Sequence, residues 1–148
     1  MVDASRKNQT FGALTRMEVD GSPKQIAFLK FNTISFGAVA TTPIKSIKLK
    51  LTVANPGGMY QEIKYVADAS WREETLTYLN KPAIKEKLVG FRAGQIGSVV
   101  EVDLTQKLKD KVGGTISFAI DKYWVNGTDF YTKEHANTKY WPALIVTY

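Results

Sequence analysis

The side chains best suited to chemistry are few, and their spacing argues against catalysis. Glu73 and Glu74 sit inside the stretch SWREETLTYLNKP, residues 70 to 82. Neighbours in an extended chain point to opposite faces, so these carboxylates cannot work as a facing pair. A glycosidase needs two carboxyl groups about 5 to 9 Å apart across a cleft. Glu101 and Asp103 do share a strand face, but an acidic pair there is more often simply solvated. His135 is the sole histidine, and no Gly-x-Ser-x-Gly elbow accompanies it for nucleophilic work. A metal site would need it together with acids such as Asp121, Asp129 and Glu134, yet a lone histidine on a turn is expected to face solvent. Gly90 to Gly94 lacks the spacing and the following helix of a phosphate loop. Cysteine is absent, which removes a thiolate nucleophile, a thiolate metal site and a disulfide framework. The chain is expected to be no enzyme and to need no cofactor. Asp3, Asp20 and Asp121 show no liganding pattern that would assign a structural calcium ion.

The overall balance says what such a chain would hold. At 148 residues it is one domain with a single core. The formal charge is +6, so a partner chosen by electrostatics is negative: nucleic acid, an acidic polysaccharide or an anionic cell surface. Arginine is scarce and no recognition helix is evident, so nucleic acid is not expected. No apolar run approaches the roughly 20 residues of a membrane helix, so membrane insertion is not expected. Nor does a charged segment lead into an apolar one as in a signal peptide, and none is expected in this stretch.

The elements that must position any site are strands. Ile44 to Val53 alternates cleanly, with Ile47, Leu49, Leu51 and Val53 on one face and Lys48, Lys50 and Thr52 on the other. The same period of two runs through Ala27 to Phe31, Val100 to Leu104 and Ile116 to Ile120. Ala143 to Tyr148 reads as a buried terminal strand. Asp20-Gly21-Ser22-Pro23, Asn55-Pro56-Gly57-Gly58, Gly113-Gly114 and Asn126-Gly127 supply the turns. One helical segment is expected over Thr105 to Val112, capped by Thr105, and a second short turn over Ala83 to Leu88. About ten short strands at such spacing predict an all-β, antiparallel sandwich of jelly-roll type.

Four blocks in order then carry a resemblance: AFLKFN at 27 to 32, SIKLKLTV at 46 to 53, SWREETLTYLNKP at 70 to 82, and VVEVDLT followed by ISFAI between 99 and 120. With the ending FYTKEHANTKYWPALIVTY, the chain resembles the DNRLRE-domain family, which includes carbohydrate-binding module family 96, from about Asp3 to Tyr148. The resemblance implies a non-catalytic jelly-roll module in a larger, secreted or surface-anchored protein, extracellular or at the cell surface. It implies that the module targets an appended enzyme or surface protein to an acidic polysaccharide such as alginate, and as an isolated domain it is expected to be monomeric. Two departures stand out: a shortened first strand, and Lys133 where the family commonly has arginine. In this light SWREETLTYLNKP is a structural corner. Trp71 covers the end of the core, Thr75 to Thr77 form a strand, and Asn80 and Pro82 end it.

A receptor for an acidic glycan needs several spaced cations and an aromatic face or two. Arginine clamps a carboxylate with two hydrogen bonds, whereas lysine supplies a mobile point charge. Lys30, Lys48 and Lys50 lie on the solvated faces of their strands, with Arg16 and Lys24 expected beside Lys30 and Arg6 and Lys7 extending the patch. Lys133 belongs to the closing motif. Trp124 and Tyr131, from the aromatic-rich last third, are the expected ring contacts. The alternative is a structural or adhesive sandwich module with no sugar site, whose lysines face acidic neighbouring domains.

Overall fold

A computed structural model describes residues 1–37, 43–57 and 60–148. The strands are β1 (Val2–Asp3), β2 (Arg16–Gly21), β3 (Lys24–Asn32), β4 (Ser46–Asn55), β5 (Tyr60–Val66), β6 (Lys87–Arg92), β7 (Val99–Asp103), β8 (Thr115–Asp121), β9 (Thr128–Tyr131) and β10 (Ala143–Thr147). The ladders among them are antiparallel and form one curled sheet in the order β10-β4-β9-β2-β3-β8-β5-β6, with β1 added to β3 and β7 to β4. β2 meets β3 only at their hairpin end, Asp20 opposite Gln25 and Gly21 opposite Lys24. Beyond it β2 continues with β9 and β3 with β8, so the sheet turns a corner and becomes two layers. This is the expected antiparallel sandwich of jelly-roll type.

The alternation read in the sequence sets what each layer buries. Ile47, Leu49, Leu51 and Val53 are fully buried, each burial being worth about 1.5 to 3 kcal/mol. They share one core with Met17 and Val19 of β2, Phe130 of β9, Ile116, Phe118 and Ile120 of β8, and Ile63 of β5. Thr52 departs from its expected solvated face and is completely buried. The connection from β9 to β10 comes back to this strand, where the Lys50 ammonium donates to the Lys139 carbonyl at 3.0 Å.

A second, smaller core lies outside the sandwich. Ile26 and Phe28 of β3, Ala119 of β8, Val66 of β5 and Val2 of β1 carry their side chains to the outer face of the second layer, where Leu76, Trp71 and Tyr78 pack on them. Trp71 meets Phe28 edge to face at 5.9 Å, and its indole N–H donates to Ser117 Oγ at 2.9 Å. The corner reading of Trp71 therefore holds. Thr75 to Thr77, however, form a turn and no strand: the Leu76 N–H donates to the Arg72 carbonyl at 2.9 Å, and Asn80 Oδ1 accepts the Thr77 N–H at 2.7 Å. Asn80 supplies locally what a strand neighbour would have supplied.

Three further expectations change. The stretch from Ala83 to Leu88 is extended, because the Lys85 N–H and the Glu86 carbonyl bond to the backbone of Tyr65 and lengthen the β5–β6 pairing. The helix after β7 is α2 (Thr105–Leu108), with Leu104 at its N-cap position; Asp103 takes the Thr105 N–H and hydroxyl, leaving Thr105 Oγ1 to accept the Ile47 N–H. Other short turns are α1 (Ile34–Gly37) and a 3-10 turn at Thr138–Tyr140. β10 pairs with β4 alone among the described residues, so it is an edge strand, half-exposed along its length, and not a buried one. Gly58, in the expected turn at Asn55 to Gly58, lies outside the described residues.

Candidate functional site

The outer face of the second layer is covered only over half its area. On the open half the outward residues line up in rows across the strands. Tyr60 of β5 stands opposite Arg92 of β6, and Glu62 stands opposite both Gly90 and Asp121. Continuing the β8 register two residues past Asp121 puts Tyr123 level with Tyr60 on one side and with Lys24 of β3 on the other. The result is a row Lys24–Tyr123–Tyr60–Arg92, two rings between two cations, backed by a second row holding Asp121 and Glu62. At about 4.8 Å per strand the row is about 14 Å long.

Local sequence fixes the two rings. Tyr60 lies against Gly90, where a Cβ would collide with the ring, so the glycine is the floor on which the ring rests. Tyr123 and Trp124 lie on the bend after β8, 69% and 59% exposed. Their carbonyls crowd Gly21, where a Cβ would not fit. Beneath the bend is Lys122, fully buried, whose ammonium donates to the Asn126 carbonyl at 2.7 Å and to Thr128 Oγ1 at 3.0 Å. Burial pulls the Lys122 pKa down, and nearby Asp20 partly offsets this. Asn126 takes the left-handed conformation that asparagine tolerates, φ 77°.

The cations are held, not loose. Asp121 pairs with Lys24 and, at 2.7 Å, with Lys64. Burial pushes the Asp121 carboxyl up, but the hydrogen bonds from Lys24 and Lys64 outweigh it and hold the group below the usual carboxylate range. Glu62 takes the Lys87 ammonium at 2.8 Å. Lys64 and Lys24 lie 4.8 and 5.3 Å from the Tyr123 ring centre, Lys87 and Arg92 5.3 and 5.9 Å from that of Tyr60. Arg92 has no carboxylate partner among the described residues.

The expected ligand contacts fall in four places. Lys24 belongs to this open face, and Trp124 is exposed on the bend that follows β8. Lys48 and Lys50 project from β4 on the other layer, where Lys48 pairs with Glu101 at 3.2 Å. Arg16, opposite Tyr131 in the β2–β9 ladder, lies on that same layer with its guanidinium 5.6 Å from the Tyr131 ring centre. Lys30 is exposed at the rim of the covered half, donating to the Ala69 and Trp71 carbonyls with its ammonium 4.8 Å from the Trp71 ring centre. Lys133 bridges Glu73 at 2.9 Å and Glu134 across an apolar cleft of about 450 Å³ between the layers. Arg16 and Lys24 thus do not gather beside Lys30.

Tyr60, Tyr123, Lys64, Lys87 and Arg92 are the residues that sequence reasoning did not select. A signal was available: YQEIKYV alternates Tyr60, Glu62 and Lys64 outward, and a glycine inside the partner strand KLVGFR marks a place where a ring can lie.

The groups first weighed for catalysis are otherwise occupied. Glu74 pairs with Arg72, Asp103 accepts the Thr105 N–H and hydroxyl, and His135 Nδ1 accepts the Asn137 N–H at 3.0 Å. Asp3 is saturated by Ser5, Arg6 and Gln25. Among the described residues no group of three or more histidines and acids is placed to hold a metal ion. No helix is long and apolar enough to cross a membrane.

An exposed face of rings and fixed polar groups is what a sugar chain needs, and the family comparison decides the class. The family model of carbohydrate-binding module family 96 matches residues 1–148, the whole chain. The chain belongs to that family. No curated protein matches the sequence. As a family 96 module it is a non-catalytic carbohydrate-binding domain, in keeping with carboxylates spent on lysines and turns.

Proposed function

We propose that this module binds an acidic polysaccharide, alginate being the first candidate, across the row Lys24–Tyr123–Tyr60–Arg92. In this reading it serves an extracellular or cell-surface protein, bringing an appended enzyme or surface protein to its substrate. The observation that carries the acidic reading is Arg92: an exposed guanidinium beside a tyrosine face, with no carboxylate partner among the described residues. Four cations on this face meet two carboxylates, Glu62 and Asp121, which leaves an excess of two positive charges.

The chemistry follows from that layout. Sugar rings lay their C–H faces on Tyr60 and Tyr123, contacts that need no charge. Lys24 and Lys87, already neutralised, still carry spare N–H donors for hydroxyl groups. A uronate carboxylate goes to Arg92, whose planar fork suits two parallel hydrogen bonds. Because Lys24, Lys64 and Lys87 are held by carboxylates before the ligand arrives, less side-chain freedom is lost on binding.

Affinity electrophoresis in gels containing alginate, pectate, chondroitin sulfate or neutral glucan, at low and at about 0.3 M salt, tests the reading. Retardation by one acidic polymer, reduced but not abolished by salt, is the expected result. Equal retardation by every polyanion that vanishes with salt would mean only a basic surface. No retardation would favour a structural or adhesive module without a sugar site.

A further inference from the structure

An arginine outside any close ion pair lies beside a tyrosine ring twice. Of the four arginines, Arg6 is bound to Asp3 and Arg72 to Glu74, whereas Arg92 and Arg16 make no ion pair within 4.0 Å among the described residues. Arg92 lies on Tyr60, and Arg16 lies on Tyr131. Glu18 and Asp129, the next residues on the Arg16 face of the same ladder, stay outside ion-pair distance of that guanidinium, although its charge partly offsets the upward push of burial and Glu18 on the Asp129 carboxyl.

The second occurrence sits in a built aromatic setting. Tyr131 stacks on Tyr140 with ring centres 4.9 Å apart and planes 17° from parallel, and His135 meets Tyr131 edge-on at 4.6 Å. Trp141, 39% exposed, is pinned by its indole N–H on the His135 carbonyl at 2.7 Å. Met17 and Phe130 point into the core from this layer, as Gln61 and Phe91 do from the other. Arg16 and Tyr131 therefore face outward on the side opposite to Tyr60 and Arg92.

We propose that Arg16, Tyr131, Tyr140 and Trp141 form a second polysaccharide-contacting surface, so that one domain holds two segments of acidic chain, one on each face. The inference rests on the polysaccharide-binding reading above. Two contacts on one domain turn a second encounter with the same polymer into an intramolecular one, and they let a single domain tie two chains together.

The test combines titration calorimetry with a short oligouronate and light scattering with the long polymer, on the parent domain, Arg92→Ala and Arg16→Ala. Both arginines are exposed, and melting curves would show that the variants fold. The expected result is two oligosaccharides per parent domain and one for each variant. Polymer clouding should disappear in both variants while each is still retarded in the gel. Parent binding of a single oligosaccharide, or Arg16→Ala indistinguishable from the parent, would overturn the second surface and leave the polysaccharide reading standing. A parent that binds no polysaccharide would overturn both.

Discussion

One face of the β3–β8–β5–β6 layer carries two regions built on the same alternation and put to opposite uses. On one half the outward residues are Ile26, Phe28, Ala119 and Val66, and the chain from Trp71 to Tyr78 folds over them. On the other half they are Lys24, Asp121, Glu62, Lys64 and Tyr60, and no described segment packs an apolar cover on them. Each half has aromatic rings beside lysines. Trp71 is held by Phe28, Ser117 and Lys30, so its surface is spent on the fold. Tyr60 and Tyr123, 41% and 69% exposed, are held from below and stay open above. An aromatic ring with a lysine nearby is thus no signal by itself; what decides is whether the apolar row beneath demands a cover.

The comparison can be broken hardest from the covered side. Leu76→Ala should cost about 2 to 5 kcal/mol of stability, read by urea unfolding, while the folded fraction binds polysaccharide as before. A loss of affinity greater than the loss of folded protein would mean that the covered half also contacts ligand. Lys122→Ala should affect both properties. Removing the buried ammonium leaves the Asn126 carbonyl without that donor, costing about 1 to 3 kcal/mol, and loosens the bend that carries Tyr123. Unfolding and binding measured on the same sample would show the two losses together.

Changes on the open side should be milder for the fold and selective for the ligand. Tyr60→Ala should weaken binding about tenfold, close to 1.4 kcal/mol, with little change in melting temperature. The smallest effect concerns acid. Because Asp121 has its pKa depressed in the folded state, its contribution to stability is present above the ordinary carboxylate value of about 3.9. That contribution fades as the pH falls through the depressed folded value. Asp121→Asn should therefore melt below the parent at neutral pH, with the gap narrowing as the solution is acidified.

Much of the fold was legible because alternation reports burial directly. Ile47 to Val53 and Ile116 to Ile120 follow from residue type and period alone, whereas the corner role of Trp71 came with the family resemblance. Thr75 to Thr77 was misread as a strand because its β-forming residues are outvoted by the Asn80 side chain, a contact local in sequence but invisible to periodicity. Thr52 looked solvated because it alternates with Lys48 and Lys50, and nothing in that period shows that this end of the polar row is buried. The candidate face was the least legible part. Lys24, Tyr123, Tyr60 and Arg92 come from segments scattered between residues 24 and 123, and only strand order makes them neighbours. Lys30 and Lys24 alternate onto one face of one strand, yet one is tied to the backbone of the covering segment and the other lies beside Tyr123.

The most direct test of where the ligand sits is a backbone amide chemical-shift titration with an alginate oligosaccharide. Saturable shifts that include Tyr60, Gly90, Arg92 and Tyr123, with the Leu76 to Tyr78 cover unmoved, are the predicted result. Silence at those four positions, with the shifts confined to the cover or to the cleft bridged by Lys133, would contradict the account.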